Sequence, residues 1–135
     1  MTPPEPLLGK VDCIRLSVPD LEEGLAFYRD RLGHQLNWRT EASAGLKMPG
    51  TDTEVVLHTE PRGVEVDFKV ESADAAADRF RASGGEVVVP PFDIRIGRCA
   101  VVRDPWGNEL VLLDSSKGLL VTDEEGNVVG VERPQ

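Results

Sequence analysis

The sequence predicts an α+β fold: two tandem βαβββ modules forming cupped mixed sheets around a cleft, plus a C-terminal β-hairpin. Three observations carry this expectation. Short strands with period-two alternation recur along the chain. Two amphipathic helical stretches interrupt them, each opened by a capping residue and stopped by glycine. The second half also repeats the first at a constant offset of 52 residues, as from Val18 to Val70. The boundaries expected are 10–60 for the first module, 63–114 for the second and 117–135 for the hairpin, in a single domain of 135 residues.

Residues 1–9 carry three prolines and read as a loose arm. Val11 to Val18 alternates, with Ile14, Leu16 and Val18 toward a core and Cys13, Arg15 and Ser17 on the opposite face. Asp20 is an N-cap, Leu21, Leu25, Tyr28 and Leu32 recur at helical spacing, and Gly33 ends the helix. Strands are expected at Gln35 to Arg39, Ala44 to Met48 and Glu54 to Thr59. The order then repeats. Val64 to Val70 alternates, Ser72 caps a helix containing Ala76, Ala77 and Phe80, and Gly84-Gly85 stops it. Glu86 to Val89 is a strand checked by Pro90-Pro91. Arg98 to Arg103 and Leu110 to Leu113 form a hairpin around Asp104-Pro105 and Gly107-Asn108. Ile14 falls on Val66, Tyr28 on Phe80 and Gly33 on Gly85; the last strands match at an offset of 55, Glu54 on Glu109 and Val56 on Val111. Leu119 to Thr122 and Val128 to Val131 flank Asp123–Asn127 as a further hairpin with no counterpart in the first half.

With 40% apolar and 29% charged residues, the composition is that of an ordinary globular protein. No apolar run is long enough to span a bilayer, and the N-terminus lacks a secretory pattern, so the expected location is cytoplasmic. The net charge of −9 argues against nucleic acid and anionic membranes as partners. Cys13 and Cys99 sit in apolar strand patterns, without metal-motif spacing, and read as reduced and buried.

Pseudo-symmetric sheets would turn Cys13, Arg15, Ser17, Glu54, Val56, His58, Glu65, Asp67, Lys69, Glu109, Val111 and Leu113 toward one cleft. The offset places Arg15 on Asp67 and Cys13 on Glu65. Arg15, His58, Glu65 and Asp67 are therefore expected to form one connected polar cluster, with Arg15 paired to either carboxylate. Trp38 and Trp106 are candidate stacking surfaces, and His34 is expected to cap the first helix's C-terminal end.

The paired modules, with LSVPDLEEGLAFYRDRLG in the first and DPWGNELVLLD closing the second, resemble the vicinal oxygen chelate superfamily over residues 10–114. That superfamily includes glyoxalase I, extradiol dioxygenases, fosfomycin-resistance enzymes and bleomycin-binding proteins. The resemblance implies an open cleft, usually completed by dimerisation or module pairing. In metal-dependent members the ligands sit on the first and last strand of each module, which correspond here to Cys13, Val56, Glu65 and Val111. Valine binds no ion, and a Cys–Glu remainder suits no oxygen- or imidazole-bound metal. The expectation is a small-molecule binder that uses no metal or other cofactor, with Cys13, Arg15, Trp38, Val56, His58, Glu65, Asp67 and Val111 as binding residues. The alternative is a lyase, isomerase or dioxygenase with a divalent metal shifted to His58 and Glu65. A homodimer is expected, since the sheet leaves a long edge and an open face, with the 119–131 hairpin as part of the cover.

Overall fold

A computed structural model describes residues 5–133 of the protein. The strands are β1 (Lys10–Ser17), β2 (Leu36–Arg39), β3 (Ser43–Lys47), β4 (Glu54–His58), β5 (Glu65–Lys69), β6 (Glu86–Asp93), β7 (Arg98–Arg103), β8 (Glu109–Leu113), β9 (Leu119–Thr122) and β10 (Val128–Glu132). The helices are α1 (Leu21–Leu25), continued by a π-helical turn over Ala26–Arg31, and α2 (Ala73–Ala82). Among the described residues no helix is long and apolar enough to cross a membrane.

Strands β1 to β8 form one mixed sheet in the order β2-β3-β4-β1-β5-β8-β7-β6. Each half has the same internal order, and the halves join through the antiparallel pair β1/β5. The expected two cupped sheets are thus one continuous sheet, because the backbone groups along β1 and β5 satisfy one another. Within the halves, β1 pairs with β4 and β5 with β8, both in parallel.

The helices cover one face, and each half has its own core. Leu21 and Leu25 pack with Ala44, Leu46 and Leu57, joined by Leu16, Val18 and Tyr28. Val70, Ala73 and Ala76 pack with Val102 and Leu112, joined by Leu7, Phe68 and Phe80. Asp20 accepts a bond from Glu23 N at 3.0 Å, and Ser72 Oγ one from Ala75 N at 3.1 Å, as N-caps do. At Gly33 a positive φ of 84° ends the first helical stretch. Buried Gly24 lets α1 sit directly on Val18 and Leu57, and the widened turn begins two residues later.

Several expectations need correction. The first helix is not a regular α-helix through Leu32, since it widens after Leu25. Strand β6 runs through Pro90-Pro91 to Asp93 instead of stopping at Val89. It is the edge of the sheet and carries register shifts there, so the missing proline N–H groups cost no ladder bonds. The arm is docked where it is described: Gly9 N bonds Lys69 O at 2.9 Å, and Leu7 joins the second core. Residues 1–4 of the arm lie outside the described residues.

Two turns share one chemistry. Asp104 accepts from Trp106 N, Asn108 N and Asn108 Nδ2, each at 2.9 Å. Asp123 does the same for Glu125 N, Asn127 N and Asn127 Nδ2. Gly107 and Gly126 supply the positive φ that each turn needs.

Candidate ligand-binding cleft

The central four strands place side chains in rows. Cys13 lies opposite Asp67 and Arg15 opposite Glu65 across β1/β5, on either side of the pair Ile14 and Val66. Across β1/β4, Cys13 neighbours Glu54 and Arg15 neighbours Val56; across β5/β8, Asp67 neighbours Val111. These residues form the floor of a cavity of about 340 Å³, within the usual range for small-molecule sites. Trp38 and Thr40 stand on one side, and Ile94, Ile96 and Cys99 on the other. Leu120 and Val128 of the C-terminal hairpin line it as well. The hairpin is fastened at both ends: Arg39 N bonds Gly126 O at 2.7 Å, and Lys117 N bonds Ile96 O at 2.8 Å. It therefore straps the chain's own cleft from the β2 edge to the loop before β7.

Trp38 is held by its neighbours. Its Nε1–H donates to Glu54 Oε1 at 2.9 Å, and Asn37 Nδ2 holds the other carboxylate oxygen at 2.8 Å. The indole lies over Gly45, where any Cβ would collide with Nε1. Trp106 is 83% exposed on its turn and does not line the cavity.

The polar floor is unusual in what it leaves unpaired. Glu65 sits 3.6 Å from Arg15 Nε and 3.2 Å from Arg62. The Arg15 contact is an ion pair too long to be a hydrogen bond. Asp67 is only 4% exposed, and its Oδ2 accepts weakly from Cys13 Sγ at 3.5 Å. Neither Arg15 Nε nor Asp67 Oδ1 has a hydrogen-bond partner. Burial, then the hydrogen bond with and the charge of Glu65, pushes the Asp67 carboxyl up to about 8, with Arg15 opposing. Asp67 thus holds a proton near neutrality. Burial and the nearby carboxylates raise both thiols, that of Cys99 to about 12, so both cysteines are neutral.

The profile of the Glyoxalase/Bleomycin resistance protein/Dioxygenase superfamily matches residues 10–112. The chain belongs to this superfamily. An uncharacterized protein of Mycolicibacterium smegmatis is 34% identical over 112 residues, covering 80% of this chain and 96% of that protein. The anthracycline biosynthesis protein DnrV of Streptomyces peucetius is 36% identical over 87 residues, which span 62% of this chain but only 30% of DnrV. Among solved structures, methylmalonyl-CoA epimerase from Mycobacterium tuberculosis superposes with a TM-score of 0.71 at 20% identity, covering 84% of this chain and 92% of that one. The Mn(II)-bound glyoxalase from Novosphingobium aromaticivorans gives 0.61 at 18% identity, covering 78% and 38%. At these identities the structures share the fold alone.

Metal-binding members of this superfamily draw ligands from the positions of Cys13, Val56, Glu65 and Val111, which here all line the cleft. The donor set does not fit a metal. Two side chains have no donor atom, Cys13 is a neutral thiol turned to Asp67, and Glu65 is engaged by two arginines. Among the described residues no three His, Cys, Asp or Glu side chains group as metal ligands.

Of the expected binding residues, Cys13, Arg15, Trp38, Val56, Glu65, Asp67 and Val111 line the cavity, and His58 does not. His58 is buried at the strand end opposite Ser17, with Nδ1 accepting from Glu60 N at 3.1 Å. Burial, then the charges of Arg15 and Arg62, lowers its pKa, so the ring is neutral with its proton on Nε2. Its Nδ1 is taken by Glu60 N and its buried Nε2 has no partner, but the ring stands off the cavity, Arg62 engages Glu65, and among the described residues no third ligand groups with them. The expected polar cluster is therefore Arg15, Glu65, Asp67 and Cys13, without His58. His34 does cap the helical end, but through its backbone, N–H to Tyr28 O at 3.1 Å, while its ring Nδ1 lies 3.1 Å from Lys47 O on β3. Ile94, Ile96, Leu120 and Val128 were not among the expected residues; the first two lie in an irregular loop, and the hairpin has no repeat partner to align with.

Proposed function

We propose that the protein binds a small organic molecule in the cleft between sheet and hairpin, without a metal at the superfamily position. One observation carries the reading: a mostly apolar cavity of about 340 Å³ between the central strands and the C-terminal hairpin, with Arg15, Glu65 and Asp67 among its lining residues. The valines at positions 56 and 111 add apolar contact where a metal-using relative needs donors. DnrV, named for anthracycline biosynthesis, agrees with a small organic molecule as the ligand class.

The enzyme reading, with a divalent metal at His58 and Glu65, has less support, since His58 stands off the cavity. Self-association in the cytoplasm belongs to the same proposal. With the hairpin docked on its own cleft, the exposed Val88, Val89 and Phe92 of edge strand β6 are the better surface for a second copy. Light scattering checks this.

The test of the main reading is a thermal-shift screen of small apolar molecules against chelator-treated protein. The expected result is stabilisation that persists in chelator and disappears in Val111→Trp, which fills the floor. Binding that appears only when a divalent ion is restored would contradict it.

A further inference from the structure

We infer that the cleft takes a planar aromatic ring system, stacked on the indole of Trp38 on the side where the hairpin is fastened. This rests on the small-molecule reading above and deepens it by naming the ligand class.

Trp38 lies opposite Gly45 on the β2/β3 ladder, Gly45 opposite Val56 on β3/β4, and Val56 opposite Arg15 on β4/β1. Residues directly opposite one another share a face, so Trp38 rises from the same side of the sheet as the cavity floor. A Cβ on Gly45 would strike Nε1, Cε2 and Cδ1 of the indole together. The flat of the ring therefore covers the Gly45 backbone, and its opposite face turns away from the sheet, toward the cavity that Trp38 lines. The next residue, Arg39, carries the bond that fastens the hairpin, and Val128 of the hairpin lines the same cavity.

The indole is held before any ligand arrives. Its Nε1–H is spent on Glu54 Oε1 at 2.9 Å, and Asn37 Nδ2 fixes the other carboxylate oxygen at 2.8 Å. What it offers a ligand is thus a preset π face, not a hydrogen bond, and no side chain needs ordering when that face is used. A flat aromatic ring meets such a face over its whole area; a puckered ring of the same size does not, and it lacks the offset-stacking attraction. Among the described residues Trp38 is the one aromatic side chain in the lining, and Ile94, Ile96, Leu120 and Val128 are aliphatic. In the second half Val89 and Val101 stand paired where Trp38 and Gly45 stand in the first, and neither lines the cavity. The ring therefore has one plate to lie on, and the repeat offers no second.

The experiment titrates naphthol and its decahydro analogue, one hydroxylated carbon skeleton in flat and puckered form, into the full-length protein by calorimetry. Naphthol should bind about three- to tenfold tighter, although the saturated compound is the more hydrophobic. Its ring protons should move upfield in the NMR spectrum on binding, as protons over an indole face do. Trp38→Leu should bind the two compounds about equally, and Trp38→Phe, which restores a flat face, should recover part of the preference; melting curves show that each variant is folded. No preference for naphthol, a preference that survives Trp38→Leu, or ring protons that do not shift would each overturn the stacking inference while leaving a small-molecule cleft standing. Binding of neither compound would overturn it too. The small-molecule reading falls separately, if the thermal-shift screen finds no ligand.

Discussion

Residues 10–58 and 65–113 build the same half-sheet, each with a helical segment behind it. Their floors differ at every chemically important position. Arg15 in one half answers to Asp67 in the other, and Cys13 answers to Glu65; only the apolar pair Val56 and Val111 is alike. The duplication fixes the frame, and the divergence of its side chains supplies the chemistry. Antiparallel pairing of β1 with β5 then crosses the repeats, so that Arg15 meets Glu65 instead of its counterpart Asp67. One half thus contributes the cation and the thiol, and the other contributes two carboxyl groups, of which Asp67 holds a proton. Neither half alone would have a balanced floor.

The largest break in that balance is Arg15→Met. It leaves two carboxyl groups with only the half-exposed Arg62 as a counter-ion, and breaking a buried pair from one side costs about 3–5 kcal/mol. Chemical denaturation at neutral pH should show a loss of that order, partly recovered in acid as the carboxyl groups protonate. A loss below about 1 kcal/mol would mean that the halves are not coupled through this residue. Asp67 is already raised with Arg15 in place, by burial and Glu65.

Asp67→Asn breaks the balance from the other half. Its sign follows from the proton. Unfolded Asp67 ionises near 3.8, and folded Asp67 holds its proton to about 8. The folded state therefore binds the extra proton between these values, and stability is highest below the lower one and falls as pH rises toward the upper. Asparagine does not titrate. The variant should gain on the native protein steadily across that window and stay level outside it. Denaturant midpoints measured across the window check this; a gap that does not change with pH would contradict it.

A smaller effect separates the walls. Gly45, opposite Val56, leaves room for the Trp38 indole, whereas its counterpart in the second half, opposite Val111, is Val101. Gly45→Ala should displace Trp38 from Glu54 at a cost of about 1–3 kcal/mol. Since Trp106 is already exposed, the change should appear as a red shift and added quenching of the Trp38 fluorescence. Unchanged emission would show that the indole is not held by this contact.

Much of the frame was legible because it is local and repeated. Alternation in β1 and β5, caps at Asp20 and Ser72 and glycine stops set the strands, helices and repeat, and alternation placed Arg15, Glu65 and Asp67 on one floor. What escaped depends on longer-range packing. The widened turn after Leu25 leaves the same helical spacing in sequence. Pro90-Pro91 reads as a stop until β6 is known to be an edge strand. His58 shares a face with Val56, but at the strand end its ring is taken by Glu60 N. The hairpin's docking across the cleft follows from bonds to Arg39 and Ile96, far away in sequence, which no periodicity reveals.

The central claim is that the duplicated floor binds a ligand without the superfamily's metal. Calorimetric titration of Mn(II), Ni(II) and Zn(II), paired with elemental analysis of protein purified without chelator, tests it most directly. The account predicts no stoichiometric metal in the purified protein and no saturable heat from any of the three ions. One equivalent of bound metal, lost in Glu65→Gln, would contradict it.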